Sequence, residues 1–409
     1  MRKIELVAPA GDLEKLIVAV DYGADAVYFG GESFSLRAGA GNFSVSDIKR
    51  GIQYAHEKGK KAYLALNIFP HHEDLKPMVA FVKKIKNFGV DAFIVSDPGA
   101  LEIVKEIVPD AALHLSTQAN LTNSMAAKFW IKQGIKRIIA ARELTIKELR
   151  QLKAHLGGSV ELEVFAHGAM CIAYSGRCLL SNFMAERDAN RGNCAHPCRW
   201  KYALMEEQRD GEYYPLEEDD RGTYILNSKD LCMIGHMPEL IRTGVKAVKI
   251  EGRMKSAFYA ATVIGMYRRV IDAYYENPKE FVFDPKWMDE LKKVSHREFT
   301  TGFFFNKPGN SEQNYQTSAY TREYSFVGIV KSYDLETGYA LVEQRNKMEK
   351  GDEIEVIGPF TDFFTQTLSD MSDENGNPVD SAPHPQQILK IKMDKPATAN
   401  YILRKKQGG

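Results

Sequence analysis

Along the first two-thirds of the chain, short and nearly continuous apolar runs alternate with longer segments whose apolar residues recur at helical spacing. The apolar runs are IELVAPA (4–10), ADAVYFG (24–30), KAYLALNI (61–68), AFIVSDP (92–98), ALHLSTQ (112–118), RIIAARE (137–143), ELEVFAHG (161–168) and KAVKIEG (246–252). Runs that are apolar throughout, rather than alternating, belong to strands covered on both faces. Between them, DLEKLIVAVDYG places Leu13, Leu16, Ile17 and Val20 on one helical face and stops at Gly23, a residue suited to a helix C-terminus. A second helix begins near Ser46, with Ser44 or Ser46 as its N-cap. Eight such units predict an α/β fold, a (β/α)8 barrel, with an open doubly wound sheet as the arrangement that periodicity alone leaves open. The barrel is favoured because polar residues gather where the runs end: Asn67, Asp97, Gln118, Arg142 with Glu143, His167, and Glu251 with Arg253. In a barrel those ends converge on the face where such enzymes work.

Two segments depart from this rhythm. Between the seventh and eighth strands, residues 169–233 interrupt the repeat and hold all five cysteines; an insertion of that size in a compact domain is commonly functional. After a helix at 254–275 and the boundary segment ENPKEFVFDPKW, the texture from Tyr324 onward becomes alternating: YSFVGIVKSY, GYALVEQ, GDEIEVIGPF, QQILKIKM and ANYILRK. Short, closely spaced strands with Gly and Asn-Gly turns predict a small antiparallel β barrel. The expected domains are therefore 1–323, the barrel with its insertion, and 324–409.

Composition narrows the class little. Of 409 residues, 44% are hydrophobic and 26% charged, with 54 Lys+Arg against 54 Asp+Glu. No global field draws the protein to nucleic acid, so any RNA contact requires a local patch. KGKK (58–61), KKIK (83–86), KIKMDK (390–395) and LRKK (403–406) are basic, and each is equally an ordinary solvated face. The start is not a signal peptide and no segment nears the ~20 apolar residues of a membrane span; a cytoplasmic protein without membrane contact is expected.

The cysteines change the picture more. Four of the five, Cys171, Cys178, Cys194 and Cys198, fall within 28 residues. An odd count in a reducing compartment argues against a disulfide framework. Taken as Cys171, Cys178, Cys194 and Cys232, the gaps of six, fifteen and thirty-seven residues do not match paired C-x-x-C zinc knuckles. Spacing alone leaves an iron–sulfur cluster, zinc, and buried or redox-active thiols all open.

The strings EVFAHGAMCIAYSGRCLLS, NRGNCAHPCRW and KIEGRMKS, with APAGDLEKL, AVYFGG, STQ and ARELT, resemble the U32 peptidase family of collagenase-like proteases, over nearly the whole chain. Within it the likeness is closest to the branch of tRNA hydroxylation proteins. The resemblance implies prephenate-dependent formation of 5-hydroxyuridine at the tRNA wobble position, with a 4Fe–4S cluster on Cys171, Cys178, Cys194 and Cys232. Cys198, beside Pro197, reads as the alternative to Cys194. Related family members acting as heteromeric subunits imply a related protein partner, or a non-catalytic cluster-bearing role, as an alternative. The other alternative is a genuine peptidase, although no G-x-S-x-G or H-E-x-x-H occurs.

Around the cysteines, His167 and Glu251 are the candidate catalytic residues, as strand-end groups on the working face. Arg253 and Lys255 are the candidate clamp for a small dicarboxylate such as prephenate, with Arg177 and Tyr174 as further substrate contacts; Arg142 and Arg191 are weaker ones. Glu163, four residues before His167, reads as a paired carboxylate inside the barrel. The glycine-rich FGGESFSLRAGAGNF lacks the pattern of a phosphate loop and reads as a loop over the mouth, reaching substrate through Arg37.

Overall fold

The computed structural model describes residues 3–35, 43–171, 173–200, 218–219, 222–223, 229–305, 323–360 and 363–407. Arg37, expected over the mouth, lies outside them. Seven strands follow one another around the barrel: β1 (Glu5–Pro9), β2 (Ala26–Phe29), β3 (Lys61–Leu66), β4 (Ala92–Val95), β5 (Leu113–Leu115), β6 (Ile135–Ile139) and β7 (Glu161–Ala169). Inside the insertion, β8 (Glu218–Asp219) and β9 (Gly222–Thr223) pair antiparallel, and β10 (Asp230–Cys232) runs antiparallel to the end of β7. The eighth barrel strand, β11 (Ala247–Ile250), pairs in parallel with both β1 and β7. That double pairing closes the barrel, and the (β/α)8 expectation holds. A short strand, β12 (Phe299–Thr300), lies parallel to β10 outside the ring.

The helices arise where sequence places them. Ser44 accepts from the Asp47 N–H at the start of the helix Val45–Glu57, and Asp97 accepts from the Ala100 N–H to cap the helix Pro98–Ile107. Asp97 is thus a cap rather than a mouth residue. Gly23, past the first helix, has φ +104°, a conformation glycine adopts without strain.

The interior is not uniformly apolar. Arg137, only 2% exposed, bonds to Glu5, Glu161 and Glu163 across three strands. Lys249 reaches the other oxygen of Glu163 at 2.9 Å. Burial alone would raise the Glu5 carboxyl, but the hydrogen bonds and charge of Arg137 outweigh it and hold Glu5 down at about 2. Glu163 is therefore the paired interior carboxylate that its strand position suggested.

Strand β7 carries the irregularity that matters most. Phe165 pairs with Lys249, but the next β11 residue, Ile250, pairs with His167. The extra residue, Ala166, is a β-bulge, which reverses the in–out alternation beyond it.

The C-terminal part is an antiparallel half-barrel of seven strands, with Ile402–Lys406 between Glu353–Ile357 and Tyr324–Tyr333. Its Ile329, Ile357 and Ile402 belong to the same apolar core as the barrel. Fully buried Arg404 ties Glu290 (2.7 Å) to Glu355, and the Tyr22 hydroxyl donates to the Ile357 carbonyl at 2.8 Å. No helix of the described residues is long and apolar enough to cross a membrane.

Candidate active site

The C-terminal ends of the barrel strands and the first part of the insertion enclose a cavity of about 140 Å³. Cys171, Cys178, Cys194 and Cys198 all line it. They come from three places: Cys171 follows β7 directly, Cys178 precedes the helix Leu180–Ala185, and Cys194 and Cys198 flank or sit in the turn Pro197–Arg199. The insertion is fastened to the barrel by Arg191, which reaches Asp74 at 2.8 Å and Glu73 at 3.2 Å. The Phe69 N–H also donates to the Asn190 carbonyl. Among the described residues, no three His, Cys, Asp or Glu side chains are already drawn together as a metal-holding group. The donor set itself fits: four soft thiols around one space match iron–sulfur or zinc in number and kind.

Cys232 lies elsewhere. It pairs with His167 across β10 and β7, is 4% exposed, and burial pushes its thiol up to about 12, partly offset by a hydrogen bond with Tyr267. His167 itself, expected at the mouth, does not line the cavity. It is packed among Tyr259, Tyr267 and Phe299, and burial pushes it down to about 3 against the opposing pull of Asp230. The bulge explains both displacements: strict alternation would turn His167 inward with Glu163 and Phe165, and the extra residue turns it outward, with Cys232 beside it. Lys255 also stays outside the lining, its ammonium donating to the Ser295 carbonyl at 3.0 Å. None of these three side chains, which the sequence reading placed at the mouth, is among those lining the cavity.

Glu251 and Arg253 do reach the cavity. The Tyr28 hydroxyl donates to Glu251 at 3.2 Å, and Arg253 is 4% exposed. Arg177 and Tyr174 stand on the cysteine loop outside the lining: both are exposed, and Arg177 donates to Asn120 at 2.7 Å while covering Phe69. Arg142, ranked below Arg253 on sequence, lies in the wall with its guanidinium 4.1 Å from the Phe165 ring centre and donates to the Ala169 carbonyl.

Lys249 escaped the sequence reading. It is 3% exposed at the cavity floor, 3.9 Å from the Tyr28 ring centre. Burial lowers its pKa, opposed by Glu163. The available signal was a lysine inside an otherwise apolar eighth strand, two residues before Glu251. Ser116 and its neighbour Gln118 also line the cavity, with Asn67 beside them.

A closed (β/α)8 barrel, with its mouth lined by thiols, two arginines and a buried lysine, defines a barrel enzyme with a cysteine-bearing insertion. The sequence profile of Peptidase family U32 matches residues 11–314, and that of the Peptidase family U32 C-terminal domain matches 322–404, so the chain belongs to family U32. It is 44% identical to the tRNA hydroxylation protein P1 of Bacillus subtilis (strain 168) over 405 residues, covering 99% of this chain and 95% of that protein. It is 37% identical to the 23S rRNA 5-hydroxycytidine C2501 synthase of Escherichia coli (strain K12), over 67% of this chain and 40% of that one. Similarity extends to the Collagenase of Porphyromonas gingivalis (strain ATCC BAA-308 / W83), at 32% over 90% of this chain and 89% of that protein.

Proposed function

We propose that this protein hydroxylates RNA, forming 5-hydroxyuridine at the tRNA wobble position in a prephenate-dependent reaction. The observation that carries the reading is the gathering of four thiols and two arginines around one cavity at the barrel's working face. Relatives named for tRNA hydroxylation and for 5-hydroxycytidine synthesis support the substrate class. Cys171, Cys178, Cys194 and Cys198 would hold a 4Fe–4S cluster, with Cys198 taking the place first given to Cys232. When bound, such a cluster supplies electron transfer or an electrophilic iron at the cavity wall.

The chain's own residues supply the rest. Arg142 and Arg253 offer planar, permanently charged donors to a carboxylate or phosphate. Glu251, which accepts from the Tyr28 hydroxyl, lies in the cavity wall and is placed to accept or return a proton. Phe165, Ile94 and Ile139 form the apolar part of the wall and exclude water from a bound ring.

The test is nucleoside analysis of tRNA from a deletion strain. Loss of 5-hydroxyuridine, restored by the wild-type gene and not by Cys178→Ala, is expected. Unchanged 5-hydroxyuridine in the deletion strain overturns the reading. Hydrolysis of gelatin by the purified, iron-free protein would put peptidase activity in its place.

A further inference from the structure

The cavity wall also holds three polar side chains that the fold leaves incompletely used. Asn67 follows β3, and Ser116 and Gln118 follow β5; β4 separates the two strands, but their ends converge at the mouth, where all three residues line the cavity. The Asn67 amide nitrogen donates to the Ser116 hydroxyl, which donates on to the Gln118 carbonyl oxygen, each at 3.4 Å. These are long contacts, at the weak end of the hydrogen-bond range. The relay occupies one end of each amide and leaves the other: Asn67 Oδ1 and Gln118 Nε2 are both buried without a hydrogen-bond partner. Gln118 is 2% exposed. A buried amide end left unpaired is destabilising, so its persistence beside a cavity points to a ligand that completes it.

The two free ends have a definite chemistry. Asn67 presents an acceptor and Gln118 presents a donor. If both amides turned over together, the pair would still offer one donor and one acceptor. A uracil ring carries the complementary pair on adjacent atoms, the N3–H donor and the O4 acceptor. The faces that a flat ring would meet are the apolar walls of Ile94, Ile139 and Phe165. The cysteine loop closes on the same place. Gly176, at φ +74°, lies so near that a Cβ there would stand 3.1 Å from Gln118 Nε2.

We propose that Asn67 and Gln118, oriented by Ser116, bind the imide edge of a uracil base turned out of its strand. Asn67 Oδ1 accepts from N3–H and Gln118 Nε2 donates to O4. An enzyme acting on a base extrudes it into such a pocket. The assignment rests on the RNA-hydroxylation reading but is tested without it.

The experiment uses the purified full chain and two fluorescent anticodon stem-loop RNAs, one with uridine and one with 3-methyluridine at the wobble position. Methylation removes the N3–H and adds bulk at that edge. Wild type should bind the methylated RNA about tenfold more weakly, as expected for one lost buried hydrogen bond. Asn67→Ala should bring that ratio to about one, and Asn67→Asp, which keeps an acceptor, should preserve it. Gln118→Glu should weaken binding of the uridine RNA itself, with thermal melting confirming that the variant is folded. Equal affinity of wild type for the two RNAs, a ratio that survives Asn67→Ala, or binding of neither RNA overturns the assignment. Retained 5-hydroxyuridine in the deletion strain would remove the hydroxylation reading alone, leaving the base-binding result standing.

Discussion

The two halves of strand β7, before and after its bulge, put opposite chemistry on opposite sides. Before it, Glu163 and Phe165 face inward, one into an ion network and the other onto the cavity. After it, His167 faces outward into an aromatic cluster, with Cys232 alongside. The two groups of cysteines divide the same way: four thiols line the mouth, and one is sealed against Tyr267. Residue type alone would have put His167 and Cys232 with the reactive groups. Their position relative to one inserted residue makes them part of the packing instead.

The division is broken most directly through the cysteines. Cys178→Ala and Cys194→Ala should each lower 5-hydroxyuridine in tRNA by at least ~100-fold and reduce bound iron, from about four per chain in anaerobically purified wild type. Cys198→Ala should do the same, whereas Cys232→Ala should retain iron and colour. If Cys232→Ala loses the iron and Cys198→Ala keeps it, the division of the thiols is wrong.

The inner face is sharpened by Arg137→Met, which leaves Glu163 with Lys249 alone and Glu5 with only Lys61 at 3.5 Å. A loss of about 3–5 kcal/mol in denaturant unfolding is expected. The exposed pairing of Glu73 with Arg191 should matter by no more than ~1 kcal/mol when Glu73 becomes Gln.

The outer face is tested by acid. His167 is held neutral because burial pushes it down to about 3 from an ordinary value near 6.5, and Asp230, His296 and Lys255 are the charged or titratable groups acting on it. The unfolded chain then binds a proton that the folded one refuses. This contribution is complete above about pH 6.5 and lost as pH falls toward 3. Glu5, held at about 2 from 4.5, adds a loss of the same sign lower down. His167→Asn should flatten the fall of stability between pH 6.5 and 4.5, measured by urea midpoints; an unchanged slope would return the histidine to a solvated position. Gly176→Ala should cost at least about 1 kcal/mol for an L-residue at positive φ, since its Cβ would also stand 3.0 Å from the Phe69 ring, read as a drop in melting temperature.

Much of the barrel was legible because each of its strands is covered on both faces and reads as an apolar run. Asn67, Gln118, Arg142, Glu251 and Arg253 were legible as strand-end residues for the same reason. His167 and Cys232 were not, because a bulge is a matter of register between strands and leaves no mark in either strand's own sequence. Lys249 was missed because its charge is matched by Glu163, 86 positions away, a pairing that only barrel closure creates. Cys198 was set aside in favour of Cys194 because spacing carries no distances, whereas both line the cavity.

Strand β7 behaves like a text read in two frames. Up to Phe165 the odd-numbered residues address the interior, and beyond the bulge it is Gly168 that approaches the strand end at Glu251. Deleting Ala166 would merge the frames and deliver an imidazole to a mouth that otherwise handles thiols, guanidinium groups and amides. A change of one residue in length would thus bring to the mouth a side chain that the present register of the strand keeps outside it.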